Sequence, residues 1–261
     1  MKAILGKALF KVSRYLLKFF GYNVAIVGSQ IKYPELTKEY ENFCNTVFSK
    51  SLTLTSLDSL KLLAICCEYV KKKKLKGDFV EAGVWRGGSA LVAKKILNDG
   101  RMHFLYDTYD GMTEPNDFDY RVGATSNQGT IEKWNSLKTE SGNKWVAASL
   151  DEVISNFKGH DLYDDSVLFV KGDVRETLLI EKNLPTDIAL LRLDTDFYDS
   201  TLIELKVLWP RLISGGILIL DDYGHWDGAR RAVDEFFSIN GIDRPLMTPI
   251  AGGGGRVLIK N

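Results

Sequence analysis

The chain reads as an α/β protein: a mostly parallel sheet with helices on both faces, preceded by an N-terminal helical extension. Three observations predict this. From Asp78 onward short apolar runs alternate with helical stretches, the pattern that a parallel sheet with crossover helices leaves in a sequence. Most of the apolar runs end in an acidic or turn residue, as strands do when they deliver side chains to a crevice at their carboxyl ends. The length, 261 residues, holds one such domain and an extension, with a core large enough to need no covalent staples.

The candidate strands are 79–82, 103–107, 166–171, 188–194, 217–221 and 256–260. Ahead of them a helix is expected over 51–76, with Thr55 or Ser56 as N-cap and the lysines at 71–74 closing its C-terminus, where cations are favoured. Residues 1–50 are assigned to the extension and 51–261 to the domain. Within the domain, 111–144 is polar and poor in strand character, and is expected to be an insert that acts as a lid.

Composition excludes several classes. Lysine plus arginine and aspartate plus glutamate each number 34, so the formal net charge is zero and no overall field draws the chain to nucleic acid. Cys44, Cys66 and Cys67 form no metal-binding spacing and read as reduced core residues of a cytoplasmic protein. Residues 1–24 carry Lys2, Lys7, Lys11, Arg14 and Lys18 among apolar residues. The cations come too often for a membrane span and no small-residue cleavage site follows. Two readings stay open for this basic amphipathic pattern: an interfacial anchor touching a membrane or a dimer contact in a homo-oligomer, and a helix packed on its own domain.

The first motif that carries chemistry is GDFVEAGVWRGGSALVAKKIL, residues 77–97. It reads as a buried strand, a turn with Gly83, Val84, Trp85, Gly87 and Gly88, and a helix from near Ser89. The glycines let backbone approach a ligand, helix amides can bind a carboxylate, and Glu81 at the strand end can receive an ammonium group. That set suits the zwitterion of methionine. It does not suit a diphosphate, which an acidic side chain would repel, and the dinucleotide GxGxxG spacing is absent. LYDTYDG then puts Asp107 at the next strand end, where a carboxylate can accept both hydroxyls of a ribose, so an adenosine fits beside the first turn. In KGDVRETL, Asp173 either serves an adenine amino group or caps the helix starting near Glu176.

The sharpest cluster joins LRLDTDFYDST with GGILILDDYGHW. Asp194 ends one strand and the Asp221/Asp222 pair ends the next. Three carboxylates at neighbouring tips are costly unless a cation or proton compensates them. An oxygen-only donor set favours Mg²⁺, and three histidines in the whole chain argue against zinc. Such an ion would lower the pKa of a substrate hydroxyl and fix its position for in-line attack on a methyl group. Asp194 can accept the departing proton. His225 is either a general base or a hydrogen-bonding member of its loop. Asp196 and Asp199 are expected to cap the helix that begins near Ser200.

These motifs, with YDTYDGM and GGILILDDYGHWDGARRAVDEFF, resemble the macrocin O-methyltransferase (TylF-like) family, which includes mycinamicin and novobiocin sugar methyltransferases, over residues 51–237. The resemblance implies the Rossmann-like class I methyltransferase fold, S-adenosylmethionine as donor, Mg²⁺, and methylation of a sugar hydroxyl that has a neighbouring hydroxyl. It implies a donor site at 81–89 and Asp107, metal ligands Asp194, Asp221 and Asp222, and Asp194 as base. Residues 1–50 and 111–144 match none of the motifs, and an antibiotic sugar and a surface-polysaccharide sugar fit equally as acceptor. Two rivals fare worse. A nucleotide-binding oxidoreductase needs a phosphate-binding glycine pattern and a catalytic Tyr/Lys or Cys, and neither is suitably placed. A non-catalytic module on the same fold has no use for three gathered carboxylates.

Overall fold

In the computed structural model, which describes residues 32–140, 142–251 and 253–261, two capped helices lead into the sheet. Helix α1 (Lys38–Ser49) starts at Thr37, whose hydroxyl accepts the Tyr40 N–H, and it buries Cys44 and Val47. Helix α2 (Leu57–Lys72) starts at Ser56, whose hydroxyl accepts the Ser59 N–H, and ends in Lys71 and Lys72. It is shorter than the predicted 51–76 because the Ser56 cap fixes its first turn. Residues 51–55 are left free to run toward the strand tips. The basic segment 1–24, with the membrane and dimer readings placed on it, lies outside the described residues. Among those described, no helix is long and apolar enough to cross a membrane.

The sheet holds β1 (Asp78–Ala82), β2 (His103–Asp107), β3 (Val167–Lys171), β4 (Ile188–Leu193), β5 (Leu212–Leu220), β6 (Thr248–Pro249) and β7 (Arg256–Ile259). Their order is β3-β2-β1-β4-β5-β7-β6. The pairs among β1 to β5 are parallel, and β7 runs antiparallel to both β5 and β6. Alternate residues explain the apolar runs. Val80, Ala82, Leu191, Leu193, Leu218 and Leu220 share one core cluster with Leu205, Val233 and Phe236, while Phe79, Leu105, Leu190 and Ile219 are equally buried between them. A strand covered on both faces has no polar side to show.

The remaining helices are α3 (Gly88–Ile96), α4 (Gln128–Leu137), α5 (Leu150–Lys158), α6 (Val174–Thr177), α7 (Tyr198–Leu208) and α8 (Asp227–Ile239). Helices α1, α2 and α3 pack on one another, and α7 packs against both α6 and α8. Two expectations need correction. Strand β5 begins at Leu212, well before the predicted 217. Neither Asp196 nor Asp199 caps α7, which starts after Phe197 with no side-chain cap. The 111–144 insert contains α4 and a bridge between Lys138 and Asn143.

The order reverses between β1 and β4, which places a crevice over their carboxyl ends. Gly83 decides how tightly that crevice closes. Its φ is 86°, and a Cβ there would overlap the Asp194 carbonyl oxygen and lie 2.6 Å from the carbonyl carbon. Gly83→Ala is therefore expected to lower unfolding free energy by about 3 kcal/mol, from overpacking and a left-handed φ together. A urea midpoint equal to that of the wild type would show that the turn can relax.

Candidate active site

A cavity of about 560 Å³ opens over these strand tips. Its first wall is the β1–α3 turn, with Gly83, Val84, Trp85 and Ser89. Asp107, at the end of β2, fastens that turn: one carboxylate oxygen accepts the N–H groups of Val84 (2.7 Å) and Trp85 (2.9 Å), the other that of Tyr109 (2.7 Å). Burial raises the pKa of Asp107 and these donors lower it. Trp85 holds φ 47°, an uncommon state for a side chain of this size. Gly88, at the start of α3, gives its N–H to the Leu52 carbonyl at 2.9 Å, so the 51–55 segment covers part of the helix terminus. Sequence reasoning missed this contact because it is made by main chain.

Glu81 is fully buried and is not among the residues that line the cavity. One of its oxygens takes the Ser89 hydroxyl at 2.5 Å and Arg192 at 2.6 Å; the other has no partner. Arg192 stands beside Glu81 in the β1–β4 register and is the residue the sequence reading overlooked. Its guanidinium also reaches Asp194 at 2.7 Å and Asp221 at 2.8 Å. Of the compensation that the three carboxylates required, a buried arginine supplies the first part. The signal was present as an arginine inside an otherwise apolar strand, LRL.

Asp221 accepts a second bond, from the Thr55 hydroxyl at 3.2 Å, and Asp222 accepts the Asp196 N–H at 3.0 Å. Asp221, Asp222 and His225 each bring one potential ligand atom within 4.8 Å of the others. Asp194 stands outside that trio, held by Arg192. The His225 Nε2 accepts the Gly254 N–H at 2.9 Å, so in the neutral ring the proton sits on Nδ1 and the free lone pair is spent within the loop. Burial pushes Asp194 and Asp222 well above the usual carboxylate range and raises Asp196 as well; Arg192 opposes the shift at Asp194. Asp173 lines the cavity and also caps α6, accepting the Arg175 N–H and pairing with its guanidinium.

The insert supplies Met112, Thr113 and Arg121 to the cavity wall, and Trp145 and Val146 follow directly after it. Arg121 bridges to Trp226 and lies 4.2 Å from the centre of its ring. Val122 donates its N–H to the His225 carbonyl at 2.9 Å, and Asp227 donates to that of Tyr120 at 2.8 Å. The insert is thus strapped to the loop that follows the aspartate pair. Trp134, Trp145, Phe197 and Trp226 form the cluster behind the strap. Removing the central cation alone should be severe. Arg192→Met leaves Glu81, Asp194 and Asp221 uncompensated, and an expected loss of about 3–5 kcal/mol is read from urea unfolding at pH 7.

Comparison with known proteins agrees with this geometry. The family described as Macrocin-O-methyltransferase (TylF) matches residues 29–251. The 8-demethyl-8-(2,3-dimethoxy-alpha-L-rhamnosyl)-tetracenomycin-C 4'-O-methyltransferase of Streptomyces olivaceus is 36% identical over 74% of this chain and 70% of its own. The demethyldecarbamoylnovobiocin O-methyltransferase of Streptomyces niveus is 32% identical over 75% and 71%. The solved structure of the O-methyltransferase NovP superposes with a TM-score of 0.68 at 29% identity, covering 80% of this chain and 82% of that one. A family match across most of the sequence, carried on the same sheet, makes this chain a member of the macrocin-O-methyltransferase (TylF) family, an O-methyltransferase on the class I methyltransferase fold.

Proposed function

We propose that the cavity binds S-adenosylmethionine next to Mg²⁺ and transfers the methyl group to a hydroxyl of a sugar, or of a comparable polyhydroxylated small molecule, in natural-product or surface-polysaccharide biosynthesis. The observation that carries this reading is that one cavity joins the Asp107-fastened glycine turn to the carboxylates of the β4 and β5 tips. The relatives support the acceptor class, since one is named for 4'-O-methylation of a rhamnosyl-tetracenomycin.

The donor set fits a divalent cation. Asp107, Asp173, Asp194, Asp196, Asp221 and Asp222 line the cavity with Arg121 as the lining arginine, and Arg192 offsets only part of that charge from behind. Asp221 and Asp222, with Asp194 beside them, would hold Mg²⁺. When bound it would hold the acceptor oxygen and lower its pKa. The chain's own residues do the rest. A carboxylate has about four acceptor positions; three N–H groups occupy most of those on Asp107, so it shapes the turn and offers the ribose at most one more. Main chain at Gly83 can approach the methionine portion closely. The acceptor oxygen attacks the sulfonium methyl, the C–S bond breaks, its electron pair stays on sulfur, and the hydroxyl proton leaves to a carboxylate. Asp194, the choice made from sequence, is ion-paired to Arg192, which opposes its taking up a proton. Asp196 lines the same cavity without an arginine at bonding distance, which supports giving the proton to Asp196. His225 is left to hold the 253–255 glycines in place.

Calorimetry is expected to show heat on adding S-adenosylhomocysteine and none with NAD; the reverse would restore the oxidoreductase. Asp222→Ala is expected to lower methyl transfer, followed by mass shift on a panel of glycosides, by about 10²–10³-fold while S-adenosylhomocysteine affinity stays within about twofold. Undiminished transfer by that variant, or by the wild type in excess chelator, would end the metal reading.

A further inference from the structure

Helix α5 has no part in the chemistry above, yet one of its faces meets the outside of the β1–α3 turn. Asn156 donates a side-chain N–H to the Arg86 carbonyl at 2.9 Å. One helical turn earlier, Glu152 pairs with the Arg86 guanidinium at 2.8 Å, and that guanidinium lies 4.8 Å from the centre of the Trp85 ring. Val153 and Phe157, both buried, close the space beyond Gly87, where a Cβ would lie 3.1 Å from each of them. The end of the helix is tethered in turn: the His160 ring meets the Asn156 carbonyl at 2.7 Å through Nδ1 and the Lys50 ammonium at 3.4 Å through Nε2.

The turn needs such a hold. Trp85 and Gly87 take φ of 47° and 86°, so two of three successive residues are left-handed, and other conformations compete with that arrangement. Helix α3 starts directly after them with Gly87 as its cap and no side chain bonded there. On the cavity side, Asp107 fixes the N–H groups of Val84 and Trp85. Neither group belongs to the peptide between Arg86 and Gly87. One end of that peptide, the Gly87 N–H, bonds to the Val84 carbonyl at 2.9 Å within the turn; the other, the Arg86 carbonyl, is held by Asn156. A peptide beside a glycine turns over at little steric cost, and turning this one would take the Gly87 N–H from Val84 and re-aim the amides that open α3. We infer that Asn156 is a positioning residue: from outside the cavity it fixes the 86–87 peptide and so keeps the turn in the conformation that receives S-adenosylmethionine. It is not among the residues that line the cavity. The inference rests on the donor reading proposed above.

The test compares Asn156→Asp, Asn156→Leu and Glu152→Gln at pH 8 by calorimetry with S-adenosylhomocysteine, by Mn²⁺ binding followed by electron paramagnetic resonance, and by thermal melting. An ionised aspartate keeps the shape of asparagine but has no N–H, so it sets a second acceptor against the Arg86 carbonyl. If the receptive turn falls to about a tenth of its population, apparent donor affinity falls about tenfold. Asn156→Asp and Asn156→Leu are each expected to weaken S-adenosylhomocysteine by about that factor. Mn²⁺ affinity is expected to stay within about twofold, because the β4 and β5 tips are untouched. Glu152→Gln removes only a half-exposed ion pair and is expected to bind within about twofold of the wild type. All three should melt within about 4 °C of the wild type, which separates a moved turn from a lost fold. Wild-type S-adenosylhomocysteine affinity in either Asn156 variant overturns the inference and leaves the donor reading standing. Equal weakening of both probes overturns it too, as does a loss in Glu152→Gln as large as that in Asn156→Asp. A wild-type protein that does not bind S-adenosylhomocysteine removes the donor reading and the inference together.

Discussion

A guanidinium buried among carboxylates is the constraint on which the rest of this fold depends. Arg192 is 3% exposed at its side chain and makes ion pairs to Glu81, Asp194 and Asp221 on three adjacent strands. A charge in such a place is tolerable only while every partner stays. The tips of β1, β4 and β5 are therefore tied by electrostatics as well as by the backbone ladder. The cation pulls the acidic side chains toward the sheet, and those on the cavity side are left short of positive charge. An active site that needs a divalent ion is one way for a fold to use that shortage.

The second organising device is a set of straps made by main chain. Leu52 covers the start of α3, Asp107 gathers the N–H groups of the first turn, and the 120–122 stretch pairs with 225–227. Each joins segments far apart in sequence at the mouth of the same cavity. Main-chain groups and one aspartate thus help to shape the cavity, beside the cation-bearing aromatic wall of Arg121 and Trp226.

The sheet was legible because most residues of each buried strand are apolar, and the strand-end acids were legible because each follows such a run directly. Asp194, Asp221 and Asp222 were found in this way. What escaped was whatever depends on register. The pairing of Glu81 with Arg192 follows from which residues stand side by side in β1 and β4, and a single sequence shows the members but not the alignment. The hydrogen bond from Gly254 to His225 escaped for the same reason, as did the Gly88 bond to Leu52. The run to β5 was read five residues short because Gly215 and Gly216 look like a turn, yet they sit inside the strand. Helix α5 lies in a stretch to which the sequence reading gave no element.

The three cysteines carry one more consequence. All are free and buried, and burial pushes the thiols of Cys44 and Cys66 up to about 12. A protonated, covered sulfur is a poor nucleophile, so oxidants and alkylating reagents meet an inert surface as long as the α1–α2 layer is closed. Labelling of these sulfurs would act as a clock for local opening of that layer, which itself contributes Phe48 and Ser59 to the cavity wall.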